Sequence, residues 1–335
     1  MSRPVVVEVL PALTPRVNEI LREFVDVRTI SRADPETLIE EAQGAVAIIA
    51  RVVDLPYQIG ADVFDRVPSI QVVTASGSGA DCYDIRAASQ RGIPVLHNPG
   101  VAPRPVVEWV LGAIVLTTRR MLEHSHYLCS GGDWNVRSRF VGPEVAECTL
   151  GLIGLGAIGA EVARRARAAF DMRIVALDPA VSDDRFRELE VERSDSLQSL
   201  LAESDAVSLH LPLLPSTTGL IGEKELAMMK PTASIINASR GAIVAEGALI
   251  EALTNGTIAS AVVDVFEDEP PDPNNPLFRM PNVFATPHSA GVSATGGARL
   301  AAATAGNLLR ALAGERPPHL VDPEVWPPRR GQPVL

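Results

Sequence analysis

The sequence predicts an α/β chain built on parallel sheets, from three observations. Apolar runs of strand length alternate with stretches of helical period along most of the 335 residues, the pattern of a parallel sheet covered by helices on both faces. Turn and cap signals separate the runs. One stretch, Thr149 to Asp178, reads strand, glycine turn, helix, strand. In it Gly154, Gly156 and Gly159 have the spacing G-x-G-x-x-G, and Asp178 closes the second strand about twenty residues on. Each glycine has a physical reason: the first permits a tight turn, the second lets backbone approach a pyrophosphate, and the third lets helix pack close to strand. The helix N-terminus offers N–H groups and a positive dipole end to phosphate, and an acid at Asp178 accepts from a ribose hydroxyl. A lone glycine fingerprint also reads as a flexible turn, but with strand, helix, second strand and acid in register the stretch predicts a dinucleotide site.

Taken in order, Val5 to Leu10 reads as a strand. Thr14-Pro15 and Asp34-Pro35 are caps followed by first-turn prolines, opening helices through Phe24 and around Leu38-Ile39. Ala45 to Ala50, Ile70 to Ala75 and Ile93 to Leu96 read as buried strands, with a helix from Asp84 to Gly92. The proline-rich run Asn98 to Pro105 is a candidate hinge, and one long helix is expected from Val106 toward Tyr127. After the glycine stretch, strands are expected at Ala206–Leu209, Ala233–Asn237, Ala259–Asp264 and Val283–Thr286, which with the two strands of that stretch make a sheet of six. A helix from Thr295 to Ala313 and an extended proline-rich tail from Pro317 end the chain.

Composition bounds the function. Hydrophobic residues are 46% and charged residues 21%, and mean hydropathy is +0.15, as in a soluble globular protein. A formal charge of −11 argues against a nucleic-acid partner. Glu8 interrupts the first apolar run, so no signal-peptide core is expected. Trp109 to Leu116 falls short of the roughly 20 apolar residues a membrane span needs. Cys82, Cys129 and Cys148 have no metal-ligand spacing, so no metal is expected, and reduced thiols in the cytoplasm are.

Three polar residues follow predicted strand ends, the edge where open parallel sheets bind ligands. Arg240 lies in Asn237-Ala238-Ser239-Arg240-Gly241, and its planar fork suits a carboxylate. Glu269 lies in an acidic run after Asp264-Val265-Phe266. His288 follows Thr286-Pro287. Together they suit hydride transfer at a carbinol carbon: His288 exchanges the hydroxyl proton, Glu269 orients it and favours its imidazolium, and Arg240 anchors a carboxylate and polarises a carbonyl.

With these motifs in this order, from Val46 through Pro323, the chain resembles the D-isomer-specific 2-hydroxyacid dehydrogenases, a family that includes 3-phosphoglycerate dehydrogenase, glyoxylate/hydroxypyruvate reductase and D-lactate dehydrogenase. Gly154 to Gly159, with Ala157 and Ile158, resembles its cofactor loop, and His210-Leu211-Pro212-Leu213 its next cofactor segment. The arginine, glutamate and histidine motifs match those of Arg240, Glu269 and His288. The resemblance implies that Leu211, Pro212, Ala238, Ser239, His288 and Ala290 line the cofactor and that Asp264 meets the nicotinamide carboxamide. It also implies that the loop Ser76 to Asp81, through Ser78 and Gly79, holds the substrate carboxylate on backbone N–H groups. Arg51 resembles an arginine that phosphoglycerate dehydrogenases place near substrate, and equally reads as a surface arginine.

The implied architecture is a Rossmann-type doubly wound parallel-sheet domain, residues 103–287, inserted into a smaller flavodoxin-like α/β substrate domain, residues 1–102 and 288–335. A cleft closing over substrate is implied, with Pro99 to Pro105 and Pro287 to Gly291 as crossing points. So is a homodimer formed through the cofactor domain. The chain ends soon after the family's core, so the C-terminal regulatory domain of many phosphoglycerate dehydrogenases is expected to be absent. Glu269 argues against formate dehydrogenase, which carries glutamine there. Departures from the common pattern, Cys82-Tyr83 after Asp81 and Val107 before Glu108, put the implied substrate contacts in doubt more than cofactor binding. The acid at Asp178 repels a 2′-phosphate, predicting NAD over NADP. The expected activity is hydride transfer between NAD(H) and a small D-2-hydroxy acid or its 2-keto form. The alternative is an NAD(H)-sensing binding protein, like the transcriptional corepressors that share the fold and the triad; the acidic balance and the lack of long appended segments make it the lesser reading.

Overall fold

The computed structural model describes residues 3–32, 34–51, 55, 57–136 and 138–335. The chain divides into two compact units, one of residues 1–102 and 292–335 and the other of residues 103–291.

The first unit is a five-stranded parallel sheet of β1 (Val5–Val9), β2 (Asp26–Ile30), β3 (Ala45–Ala50), β4 (Val72–Ala75) and β5 (Val95–Leu96). Its order, β2-β1-β3-β4-β5, is the flavodoxin-like order. Helices α1 (Pro15–Leu21), α2 (Pro35–Glu41), α3 (Ala61–Arg66) and α4 (Ile85–Gln90) connect the strands. The cap signals work as the sequence predicts at α2, where the Asp34 carboxylate accepts from the Thr37 N–H, and at α4, where Asp84 accepts from the Ala87 N–H. Strand β2 has no apolar run to announce it in the sequence. It is an edge strand whose Asp26, Arg28 and Thr29 are exposed, so charge hides its two inward apolar residues.

Cys82 and Tyr83 prove to be core residues. Tyr83 is 1% exposed, and its hydroxyl lies 3.1 Å from the Ile48 carbonyl and 3.0 Å from that of Thr74. Val107 is also fully buried. These departures from the common pattern therefore concern packing rather than substrate.

The second unit holds α5 (Arg104–Thr118), α6 (Met121–Cys129), β6 (Thr149–Ile153), α7 (Ala157–Phe170), β7 (Arg173–Leu177), α8 (Asp183–Leu189), β8 (Glu192–Arg193), α9 (Leu197–Glu203), β9 (Ala206–Leu209), α10 (Glu223–Met228), β10 (Ser234–Asn237), α11 (Glu246–Thr254), β11 (Ser260–Val263) and β12 (Val283–Ala285). Its parallel sheet has the order β12-β11-β10-β9-β6-β7-β8, the doubly wound Rossmann order with a further strand. It has seven strands rather than six because the two-residue edge strand β8, both of its residues exposed, has no apolar run to announce it. The single long helix expected from Val106 is two. It breaks at Arg120, which adopts φ +51°, after Thr117, whose hydroxyl turns back onto the Ala113 carbonyl.

The register fixes where the site must be. Leu177, Ile153, Leu209, Asn237, Val263 and Ala285 lie in one row across six strands. The loops that carry Asp178, Gly154, His210, Arg240, Asp264 and His288 all leave the sheet just past this row. No helix among the described residues is long and apolar enough to cross a membrane, and all three cysteines are free.

The last helix, α12 (Ala294–Leu312), packs on β4 and α1 of the first unit. The tail beyond it is tied down along its length. Leu320 bridges Leu96 antiparallel, the Val321 N–H donates to the Val95 carbonyl at 3.0 Å, and the Arg329 N–H donates to that of Gly92 at 3.0 Å.

Candidate active site

The glycine loop leaves β6 at the point where strand order reverses, between β6 and β9. Gly154 has φ +96°, and a Cβ there would lie 2.4 Å from the His210 carbonyl oxygen. A Cβ at Gly159 would lie 2.2 Å from the Gly154 carbonyl oxygen. A Cβ at Gly156 would meet no protein atom within 4 Å. The first and third glycines are thus demanded by the protein itself, whereas the second keeps space clear for something else. Gly156 caps the 14-residue helix α7 without any side-chain bond, leaving the first-turn N–H groups, those of Ala157 and Ile158 among them, for an anion. Asp178 braces this loop: its Oδ2 accepts from the Leu155 N–H at 2.8 Å and its Oδ1 from the Ala180 N–H at 2.9 Å. Each oxygen keeps acceptor capacity for a hydroxyl. These features fit a dinucleotide.

His210 packs beneath the loop, with Leu211 and Pro212 following it. Its ring Cδ2 is 3.4 Å from the position of a Gly159 Cβ, and its Nε2 is 3.0 Å from the Ser208 hydroxyl. Burial holds its pKa down at about 4. The unfolded chain therefore takes up a proton below about 6.5 that the native ring refuses until about 4. This contribution to stability is complete above that range and is lost as pH falls through it, at up to roughly 1 kcal/mol per pH unit. Urea unfolding of wild type and His210→Gln at pH 5 and pH 7 checks this. The stability difference between the two pH values should shrink in the variant; equal differences would refute the assignment.

Past β10, Asn237 organises the next loop. It is 2% exposed. Its Nδ2 donates to the Arg240 carbonyl at 2.9 Å, and its Oδ1 accepts from the Ser239 N–H and hydroxyl at 3.1 and 2.9 Å. Ala238 and Ser239 form the turn, and the Arg240 Nη1 donates to the Ser239 carbonyl at 2.7 Å. A Cβ at Gly241 would fall 1.8 Å from the Phe266 carbonyl oxygen, so only glycine lets this loop press against the one that carries Glu269.

Glu269 meets His288 directly, its Oε2 lying 2.7 Å from the His288 Nδ1, while its Oε1 accepts from the Phe266 N–H at 3.1 Å. Burial pushes the Glu269 pKa up, but the His288 hydrogen bond and charge, the Phe266 N–H and the Arg240 charge outweigh it and hold the group below its ordinary value. Arg240, Glu269 and His288 are therefore one electrostatic group. An ionised Glu269 only accepts, so Nδ1 carries the hydrogen and Nε2 is left for proton exchange.

His288 sits at φ +50°, in the left-handed region that non-glycine residues rarely enter. Asp264 holds it there. The Asp264 carboxylate, in a residue 1% exposed, accepts from the Thr286 hydroxyl at 2.5 Å and from the Ser289 and Ala290 N–H groups at 2.7 and 2.9 Å. The Asp264 carbonyl takes the His288 N–H at 2.7 Å.

The unit boundary falls after Gly291 rather than at 287/288, so His288 and Ala290 belong to the second unit with the rest of this group. Arg51, Ser78 and Gly79 belong to the first. Arg51 is half-buried directly after β3. Ser78 and Gly79 lie in the loop after β4, whose Gly77 and Ser78 carbonyls accept from the Asn98 N–H at 2.8 Å and the His97 Nδ1 at 3.0 Å. The N–H groups of Gly77 to Ala80 have no acceptor among the described residues.

Asn237 and Glu246 build this site too, beyond the residues that the sequence singles out. Glu246, at the start of α11, accepts from the Asn275 side chain at 2.6 Å and the Glu267 N–H at 3.3 Å, bracing the Glu269 loop. An Asn between a strand and a turn is a readable signal; an acid at a helix start is too common to be one.

Comparison with known proteins gives a consistent set. Residues 111–290 match the family model described as D-isomer specific 2-hydroxyacid dehydrogenase, NAD binding domain. The chain is 38% identical to a glyoxylate reductase of Aeropyrum pernix, over 97% of this chain and 98% of that one. In structure it is similar to the holo D-mandelate dehydrogenase of Rhodotorula graminis, with TM-score 0.85 and 29% identity over 96% of this chain and 98% of that one. It is likewise similar to an NADPH-dependent glyoxylate/hydroxypyruvate reductase of Sinorhizobium meliloti in complex with NADP and malonate, with TM-score 0.84 and 29% identity over 99% and 100%.

Proposed function

The chain belongs to the D-isomer specific 2-hydroxyacid dehydrogenase family, an NAD-dependent oxidoreductase family, and from that premise we propose that it reduces glyoxylate or another small 2-keto acid, with His288 and Glu269 as the acid–base pair and Arg240 as the carboxylate clamp. The observation that carries this reading is the 2.7 Å contact between His288 Nδ1 and Glu269, at the sheet edge that also bears the glycine loop. NADH, when bound, supplies hydride to the carbonyl carbon. His288 Nε2 gives the carbonyl oxygen its proton, and the Glu269 carboxylate stabilises the imidazolium before transfer and keeps the ring oriented. Arg240 binds the carboxylate and polarises the carbonyl. The N–H groups of Gly77 to Ala80, without acceptors among the described residues, support their proposed role as a second cradle for that carboxylate. Asp264 acts mainly by fixing the His288 turn, and its remaining acceptor capacity is proposed for the nicotinamide carboxamide.

A panel of 2-keto acids with NADH, followed by absorbance, tests the reading. Glyoxylate and hydroxypyruvate should be turned over, and NADH should be preferred to NADPH because of the Asp178 carboxylate. Binding of NADH without turnover of pyruvate, phosphohydroxypyruvate, branched, aromatic or any other 2-keto acid would point instead to a nucleotide sensor. Activity equal or higher with NADPH would overturn the assignment of Asp178. A homodimer is proposed as the active species, supported by exposed Met121, Leu128, Trp134 and Val141 on one segment of the second unit.

A further inference from the structure

The loop from Ser76 to Ala80 is held through its carbonyls and serine hydroxyls, while the N–H groups of Gly77 to Ala80 have no acceptor among the described residues. The Ser76 hydroxyl donates to the Ala12 carbonyl at 2.9 Å, the Asn98 N–H to that of Gly77, and the His97 Nδ1 to that of Ser78 at 3.0 Å. A carbonyl can only accept, so His97 carries its hydrogen on Nδ1. Burial keeps the His97 pKa below its ordinary value, but the bond needs no charge, since Nδ1 keeps this hydrogen whether the ring is neutral or protonated.

The surroundings of His97 hold it in turn. It directly follows β5, which is clamped on one side by β4 and on the other by Leu320 and Val321 of the C-terminal strap. The His319 ring packs edge-on against it, with centroids 6.5 Å apart. The neighbouring Asn98, fully buried, donates to the Ala75 carbonyl and the Thr304 hydroxyl and accepts from Asn307. The platform under His97 is therefore anchored to both β4 and α12, and a Cβ at Gly77 would meet no atom within 4 Å, so the loop borders open space.

We propose that His97 is a positioning residue for substrate capture: by holding the Ser78 carbonyl, it keeps the 76–80 loop in the form whose N–H groups are left for the carboxylate of the 2-keto acid. This rests on the proposed role of that loop as a carboxylate cradle. A neutral hydrogen bond of this kind carries roughly a five- to tenfold effect. It should appear in substrate binding and not in chemistry or cofactor binding.

The test compares three variants of the full chain. His97→Leu removes the donor at similar bulk, His97→Asn puts an amide N–H near the position of Nδ1, and His97→Gln puts it near that of Nε2. His97→Leu and His97→Gln should raise KM for glyoxylate about five- to tenfold, with kcat and the KM for NADH within about twofold of wild type; His97→Asn should restore KM. An unchanged KM in His97→Leu, or His97→Asn as impaired as His97→Leu, overturns the proposal. Hydrogen exchange at the Asn98 amide, which donates to the Gly77 carbonyl, reads the same hold without turnover. It should quicken about fivefold or more in His97→Leu and recover in His97→Asn; no change overturns the proposal even if the enzyme is active. Absence of wild-type turnover on every 2-keto acid is a different result. It would defeat the proposed function, and the exchange measurement would still decide whether His97 holds the loop.

Discussion

Replacing His288 with Gln is expected to lower kcat for 2-keto acid reduction by a factor of roughly 10² to 10⁴, the usual contribution of a positioned acid–base group, while NADH affinity stays within a few-fold of wild type. Gln can fill much of the imidazole's space but cannot deliver a proton at Nε2. Glu269→Gln should cost less, because it removes the charge that stabilises the imidazolium and leaves the proton donor in place. With the carboxylate pKa held below its ordinary value of 4.5, the Glu269 charge is present above 4.5 and is lost only as pH falls through its lower native pKa. Loss of the Glu269 charge therefore belongs below that value, not near neutrality. Steady-state kinetics with NADH titrated by fluorescence separate the two effects. Wild-type kcat in His288→Gln would remove His288 from the chemistry altogether.

What the sequence discloses of this site, and what it hides, follows from the physics of each signal. The glycine spacing is legible because backbone geometry dictates it: Gly154 and Gly159 each face a backbone oxygen closer than any Cβ tolerates. Arg240, Glu269 and His288 are legible because they follow apolar strand runs in a parallel sheet, whose loops must emerge at one edge. The turn at His288 was not legible. Its left-handed backbone is held by three donors converging on Asp264, and no local pattern reveals that a strand-end acid will be spent on its neighbour's turn. The edge strands β2 and β8 were missed because their exposed polar residues break the apolar signal. The break at Arg120 was missed because nothing in Thr117-Thr118-Arg119-Arg120 forbids a helix. Cys82-Tyr83 departs from the common pattern at positions buried in the core, a placement that two polarisable side chains after a glycine-rich loop do not announce.

Arg240→Lys should lower kcat/KM for the 2-keto acid by roughly 10² to 10³, about 3–4 kcal/mol of transition-state binding, although the charge is kept. The reason lies in how the arginine is held. Asn237 grips the Arg240 carbonyl and the Ser239 N–H, and one guanidinium nitrogen is already committed to the Ser239 carbonyl. A planar fork pinned in this way holds its N–H groups in one fixed plane, the geometry that bidentate capture of a carboxylate needs, whereas an ammonium has no second arm to be pinned by. The loss should fall on both KM and kcat, since the proposed role of this group is both to bind the carboxylate and to polarise the carbonyl. In Arg240→Ala, added guanidinium at millimolar concentration should restore part of the activity, and added ammonium should not. Arg240→Lys retaining kcat/KM within about twofold of wild type would show that only charge is needed here. In that case the fork geometry set up by Asn237 would serve the fold of the loop and not the substrate.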